Sequence, residues 1–228
     1  MILDKEQLRK NLDEVIWKIE AARISVSEHH IVKLVAVGKY TDVENIATLY
    51  ELGQRAFGEN QVQQLRDRIQ QLEDLPLEWH MIGRLQKNKI NNLIDLRPML
   101  MHSLDSIDLA EELNKKLEAK SAKMHSLLQI NAAQEESKAG VTPERALDTY
   151  QEIKERFPHI ILKGVMTIGA HTDNTGMIQK SFETTRQIFE NLEKDGAEVC
   201  SMGMSGDYEL AIKCGSNLVR IGSALFKR

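Results

Sequence analysis

The sequence predicts a TIM-like (β/α)8 barrel preceded by an extra N-terminal helix. Three observations lead there: a regular alternation of strand and helix patterns, a length of 228 residues, and a polar or small residue at the end of nearly every strand. Strands separated by helices pair in parallel, because right-handed crossovers return each strand beside the last. A doubly wound open sheet meets the same alternation, so periodicity alone leaves both architectures standing. The strand ends favour closure. Lys39, Asn60, His80, Ser103, Asn131, Thr167, Ser205 and the pair Gly222 and Ser223 all fall at or just past them. In a closed barrel these ends converge on one mouth, whereas the outer ends of an open sheet lie too far apart to share a ligand. No Pro/Ser-rich linker or low-complexity tract interrupts residues 1–228, so a single domain is expected.

Each element has its own signal. Residues 4–23 carry Leu8, Leu12, Val15, Ile16 and Ile19 at helical spacing. IVKLVAVGKY (residues 31–40) is saturated with β-branched and aliphatic residues, as a buried strand is. Thr41 or Asp42 can cap a helix that stops at Gly53. RAFGE (55–59) reads as a strand and 61–72 as a helix. LEWHMIG (77–83) reads as a strand, 86–94 as a helix, and MLMHSL (99–104) as a strand. A helix over 107–119 and a strand over 127–131 follow. Pro143 suits a first helical turn and opens a helix to Arg156. Strand 160–168, helix 177–192, strand 198–204, a short helix from Asp207 and strand 218–221 complete the pattern.

Composition narrows the function classes. Hydrophobic content of 42% and charged content of 28% suit a globular chain with a sizeable core. A formal net charge of −4 disfavours nucleic acid or an anionic membrane as the main partner. No apolar run reaches the roughly 20 residues of a membrane span, and the N-terminus lacks a signal peptide's apolar middle. Cys200 and Cys214 are the only cysteines and lack zinc-site spacing, which suggests a reducing compartment. The expectation is a cytoplasmic monomer.

Lys39 raises the chemical question. An ammonium at the end of an apolar strand must reach solvent, find a partner or give up its charge, and the last case suits imine formation. SMGMSG (201–206), followed by Asp207, and VRIGS (219–223) supply the second clue. Small residues let backbone N–H groups approach a ligand, and the loops after strands seven and eight are the recurrent phosphate site of TIM barrels. Ser205, Gly222 and Ser223 would hold a phosphate there, with the start of the following helix adding positive partial charge. Arg220 lies between the two and could meet a ring nitrogen. An amine and a phosphate anchor in one cavity suit pyridoxal 5′-phosphate (PLP), or a phosphosugar in a Schiff-base aldolase.

These segments resemble the PLP homeostasis proteins of the YggS/PROSC type, which are similar to the N-terminal barrel of alanine racemase. The matching motifs are AVGKY, FGENQVQ, EWHMIGRLQKNK, HSLDS, QINAAQEESKAG, GVMTI, SMGMSGDYELAI and VRIGSALF, spread from Lys39 to the C-terminus. The resemblance implies a fold-type III PLP-binding barrel with a Schiff base on Lys39. It implies a phosphate held by Ser205, Gly222 and Ser223, Arg220 against the pyridine nitrogen, and Asn60 and Met202 lining the ring. Gly38-Lys39-Tyr40 departs from the Ser-Lys-Thr common in the family, and GAHTDN after Ile168 is more polar than in relatives.

The resemblance implies a non-enzymatic carrier or buffer of PLP that hands it to PLP-dependent apo-enzymes. An arginine at the ring nitrogen can only donate, which gives a weaker electron sink than a carboxylate partner. A two-base racemase needs a second base, which racemases of this type take from a further domain, and the sequence runs only to Arg228. His80 and His102 are the histidines expected near the mouth. The alternative is a weak PLP enzyme of the amino acid racemase type, and a phosphosugar lyase without PLP is the third class. Arg84, Lys87 and Lys89 read as a solvated helix start, with docking of an acidic partner as the alternative. Lys138 follows strand five, within reach of the mouth, but reads as a surface-loop residue, and Cys200 reads as core.

Overall fold

The computed structural model describes residues 2–135 and 138–228. Eight parallel strands close into a barrel in sequence order: β1 (Lys33–Val37), β2 (Ala56–Glu59), β3 (Glu78–Met81), β4 (Leu100–Leu104), β5 (Met124–Ile130), β6 (Ile160–Thr167), β7 (Val199–Ser201) and β8 (Leu218–Ile221). Closure comes from β8 returning to β1, with Lys33 opposite Leu218 and Ala36 opposite Ile221. The open-sheet alternative is thereby excluded.

The outer ring follows from helical apolar stripes. α1 (Lys5–Val26) buries Leu8, Leu12, Val15, Ile19 and Ala22. It packs beside α2 (Val43–Glu51). α3 (Val62–Gln71), α4 (Ile90–Leu96), α5 (Ile107–Ala119), α6 (Pro143–Arg156), α7 (Thr175–Glu193) and α8 (Tyr208–Lys213) complete the ring, and α1 also packs against α8. Ser106 caps α5 by accepting from the Leu109 N–H at 3.2 Å, and Asn174 caps α7 in the same way through Met177. Asn11 on α1 donates to the carbonyls of Leu225 and Lys227 at 2.9 and 2.7 Å, tying the extra helix to the C-terminal segment.

Several boundaries differ from the expectations. The segment over 86–94 divides into a 3-10 turn at Lys87–Lys89 and α4. β5 begins at Met124, three residues before the predicted start, because its pairing with β6 extends down to Ile160. β7 ends at Ser201 rather than at residue 204. Gly203 adopts φ +95°, and a Cβ there would lie 2.7 Å from the Ala211 Cβ, so the chain turns off the barrel where α8 approaches.

Strand alternation divides the buried residues into two layers. Side chains such as Phe57, Trp79, Met81, Met101, Leu128 and Val165 face the helices, while Val35, Ala56, Leu100, Leu127, Met166 and Leu218 fill the barrel. Several polar side chains share that interior: His80, His102, Ser201 and Arg220 are 0–4% exposed.

Candidate functional site

A cavity of about 1070 Å³ opens at the C-terminal ends of the strands. Its wall includes six of the seven cofactor-site residues expected from sequence: Lys39, Asn60, Ser205, Arg220, Gly222 and Ser223. Val37 and Lys39 reach it from the end of β1, Asn60 from the end of β2, and Gln129 and Asn131 from β5. Met166 and Ile168 belong to the β6 side.

Lys39 follows the last buried residues of β1 and is half-buried, with its ammonium 4.9 Å from the centre of the Tyr40 ring. Tyr40 itself is 91% exposed, so the lip beside the amine is open to solvent. Beneath this turn lies Glu59, the last residue of β2. It is fully buried, and both carboxylate oxygens lack a hydrogen-bond partner. Arg68 stands 3.6 Å away as an ion pair, while its Nη2 is committed to the Thr41 carbonyl. Burial pushes the Glu59 pKa up to about 7, against the attraction of Arg68 and Lys39.

On the β8 side of the amine, next to β1, the loops after β7 and β8 meet. Ser205 Oγ accepts from the backbone N–H groups of Gly222 and Ala224 at 3.2 and 3.3 Å. The anion-binding capacity here comes from backbone donors of the turn after β8 and from the Ser205 hydroxyl. Arg220 rises from β8 between the two ends. Its Nη1 donates to Ser201 Oγ at 2.5 Å and its Nη2 to the Thr167 carbonyl at 2.9 Å, so the guanidinium plane is fixed at the cavity wall. Burial lowers its pKa to about 10, with Asp207 pulling the other way, so it remains a cation and a donor at neutral pH.

Other expectations need correction. Met202 is fully buried in the layer between barrel and helices and does not line the cavity. Ser201 points inward to Arg220, so strand alternation turns its neighbour outward. His80 and His102 are not at the mouth either. They face the barrel interior, linked to each other, and His80 reaches Glu78 at the first position of β3. Lys138 is no ordinary surface-loop residue, since its ammonium donates to the Gly169 carbonyl at 2.7 Å and to Glu135 at 2.8 Å while lining the cavity. Glu136 and Ser137 of the same motif lie outside the described residues. Arg84 pairs with Asp105 and Lys87 with Asp108, so two members of the basic cluster are matched. Cys200 is buried, as expected, and burial raises its thiol to about 12.

The arrangement is a solvent-open cup whose wall carries a primary amine, an oxyanion cradle and a fixed cation. It suits a small ligand with a carbonyl and a terminal anionic group. Residues 4–228 match the family model described as alanine racemase, N-terminal domain. A pyridoxal phosphate homeostasis protein of Helicobacter pylori is 55% identical over 219 residues, covering 96% of this chain and 98% of the relative. The chain belongs to the pyridoxal phosphate homeostasis protein family. A family member from Haemophilus influenzae is 39% identical over 226 residues, covering 96% and 94% of the two chains. Among solved structures, PipY of Synechococcus elongatus with PLP bound superposes with a TM-score of 0.82 at 28% identity, covering 96% of this chain and all of that one. An alanine racemase of Clostridium difficile superposes with a TM-score of 0.77 at 18% identity. It covers 98% of this chain but 57% of the racemase, a likeness of fold alone.

Among the described residues, no helix is long and apolar enough to cross a membrane, and no cluster of His, Cys, Asp and Glu could hold a metal ion.

Proposed function

We propose that this single barrel domain is a PLP carrier and buffer that retains the cofactor at Lys39 and yields it to PLP-dependent apo-enzymes, acting as a cytoplasmic monomer without turnover of its own. The observation that carries this reading is the meeting of Lys39, the Ser205 cradle and Arg220 on one cavity whose lip is exposed. The residues fit PLP. Two backbone N–H groups already converge on the Ser205 oxygen, where a phosphate oxygen would find the same donors. Arg220 presents N–H groups to a ring nitrogen and has no proton to accept. When bound, PLP supplies an aldehyde that condenses reversibly with a primary amine.

The chain's own residues divide the work. Lys39 supplies the amine, Gly222, Ser223 and Ser205 orient the phosphate, Asn60 borders the ring, and Arg220 keeps the ring nitrogen an acceptor. Catalysis asks for more. It needs groups positioned around the developing charge and water kept out. The described cavity wall holds no histidine or carboxylate to shuttle a proton at an amino acid's Cα, and Tyr40 at the lip is open to water. An amine attachment open to solvent lets incoming amines compete, which favours handover.

The test has two arms. PLP-loaded protein mixed with an apo-enzyme is expected to restore that enzyme's activity. Amino acids incubated with the loaded protein in D2O are expected to gain deuterium at Cα no faster than with free PLP. Fast incorporation that disappears in Lys39→Ala would replace the carrier with the racemase-type enzyme.

A further inference from the structure

A line of polar side chains runs through the barrel from its floor to the cavity. At the floor, Lys33 donates to Glu78 Oε1, and the same oxygen lies 2.7 Å from His80 Nε2. His80 Nδ1 lies 2.8 Å from His102 Nε2, and His102 Nδ1 lies 3.1 Å from Ser201 Oγ. Ser201 Oγ meets Arg220 Nη1 at 2.5 Å, and Arg220 forms part of the cavity wall. The middle members are fully or almost fully buried: His80 1%, His102 0%, Ser201 0% and Arg220 4% exposed.

The hydrogen positions follow from what each end can do. A carboxylate only accepts, so His80 donates through Nε2 and its Nδ1 becomes an acceptor. His102 must then donate through Nε2, which makes its Nδ1 an acceptor for the Ser201 hydroxyl hydrogen. Ser201 is left with lone pairs for Arg220, and a guanidinium only donates. The Arg220 end is compatible with this assignment, which the carboxylate end fixes. Both histidines are neutral Nε2–H tautomers, in keeping with the way burial lowers the pKa of each. Every donor points from the cavity to the floor, so the bonds polarise one another in one sense.

We propose that Glu78, His80, His102 and Ser201 form a positioning chain for Arg220, which locks its guanidinium as a fixed donor at the cavity wall and thereby sets the environment of the cofactor ring. The part that concerns the cofactor rests on the proposed function; the part that concerns Arg220 does not. A barrel interior filled with aliphatic side chains would need none of these polar groups. Their connection to the one buried cation of the described cavity wall gives them a role.

Two measurements test it. In protein without cofactor, long-range 15N–1H NMR at neutral pH is expected to show His80 and His102 both as neutral Nε2–H tautomers, with slowly exchanging Arg220 guanidinium protons. An Nδ1–H tautomer or a charged ring at either position would overturn the chain. In PLP-loaded protein, His102→Leu breaks the chain and His102→Gln keeps a group able to donate and accept. His102→Leu is expected to shift the visible absorbance band and speed cofactor loss severalfold, with His102→Gln restoring much of both. Equal spectra and equal release for wild type and His102→Leu would overturn the link to the cofactor. If wild type forms no visible band, the cofactor reading fails, and the NMR result still decides the positioning of Arg220.

Discussion

Glu78 at the barrel floor and Glu59 beneath the mouth are both strand carboxylates, and the fold treats them oppositely. Glu78 accepts from His80 and Lys33, which hold its pKa down at about 2. Glu59 is fully buried with neither oxygen hydrogen-bonded, and burial lifts its pKa to about 7. A buried polar group without a partner costs about 1–3 kcal/mol, more if charged. The floor is therefore a completed network that supports the fold, while the mouth keeps an unsettled charge next to the amine. Local conflict of this kind concentrates at functional sites.

Breaking the floor should cost most. Glu78→Ala leaves the His80 N–H and the Lys33 ammonium without their acceptor, with an expected loss of about 3 kcal/mol at neutral pH. The depressed pKa places this contribution above the unfolded value near 4.5, and it fades as pH falls toward 2. Chemical denaturation across pH should show the difference from wild type shrinking in that window. His80 and His102 act in the same direction. Kept neutral in the fold, they bind fewer protons than the unfolded chain, so stability should decline as pH drops below about 6.5.

Glu59→Gln should have the opposite pH signature. The folded state holds a proton on Glu59 that the unfolded chain releases, so wild type loses stability as pH rises from about 4.5 to 7. Gln does not titrate. The variant should gain on wild type across that range by an amount on the order of 3 kcal/mol. A pH-independent difference would remove the contrast between the two carboxylates.

Ser205→Ala probes the mouth without touching either carboxylate. Loss of one hydroxyl from the cradle should weaken PLP retention roughly tenfold, or about 1.4 kcal/mol, with little change in the protein's own stability. Equilibrium dialysis against free PLP measures it, and unchanged retention would move the phosphate elsewhere. The smallest effect is expected from Gly38→Ser. A Cβ at Gly38 lies 2.6 Å from Glu59 Oε1, so the carboxylate must shift slightly and then gains a hydroxyl donor. The pKa of Glu59, followed by NMR, should fall.

Much of this could be read from sequence, and the failures have physical reasons. Helix 107–119, helix 143–156 and strand 218–221 matched because Ser106, Pro143 and saturated aliphatic runs mark their bounds. Lys39, Ser205 and Arg220 were legible because strand ends in a closed barrel share one mouth. Met202, His80 and His102 were misplaced because proximity to a strand end does not decide which way a side chain faces, and alternation does. The acid in AFGE, flanked by small and aromatic residues, was the available signal for Glu59, but its lack of partners depends on what packs across it. For Lys138 the one signal was its place after strand five, because its contact with Gly169 joins the loops after β5 and β6.

The central claim is that Lys39 holds the cofactor. Three lysines, Lys39, Lys138 and Lys227, line the same cavity, which makes the distinction sharp. Borohydride reduction of the PLP-loaded protein, followed by peptide mass mapping, is expected to place the pyridoxyl group on Lys39 alone. A pyridoxyl adduct found mainly on Lys138, or persisting in Lys39→Ala at the wild-type level, would contradict the account.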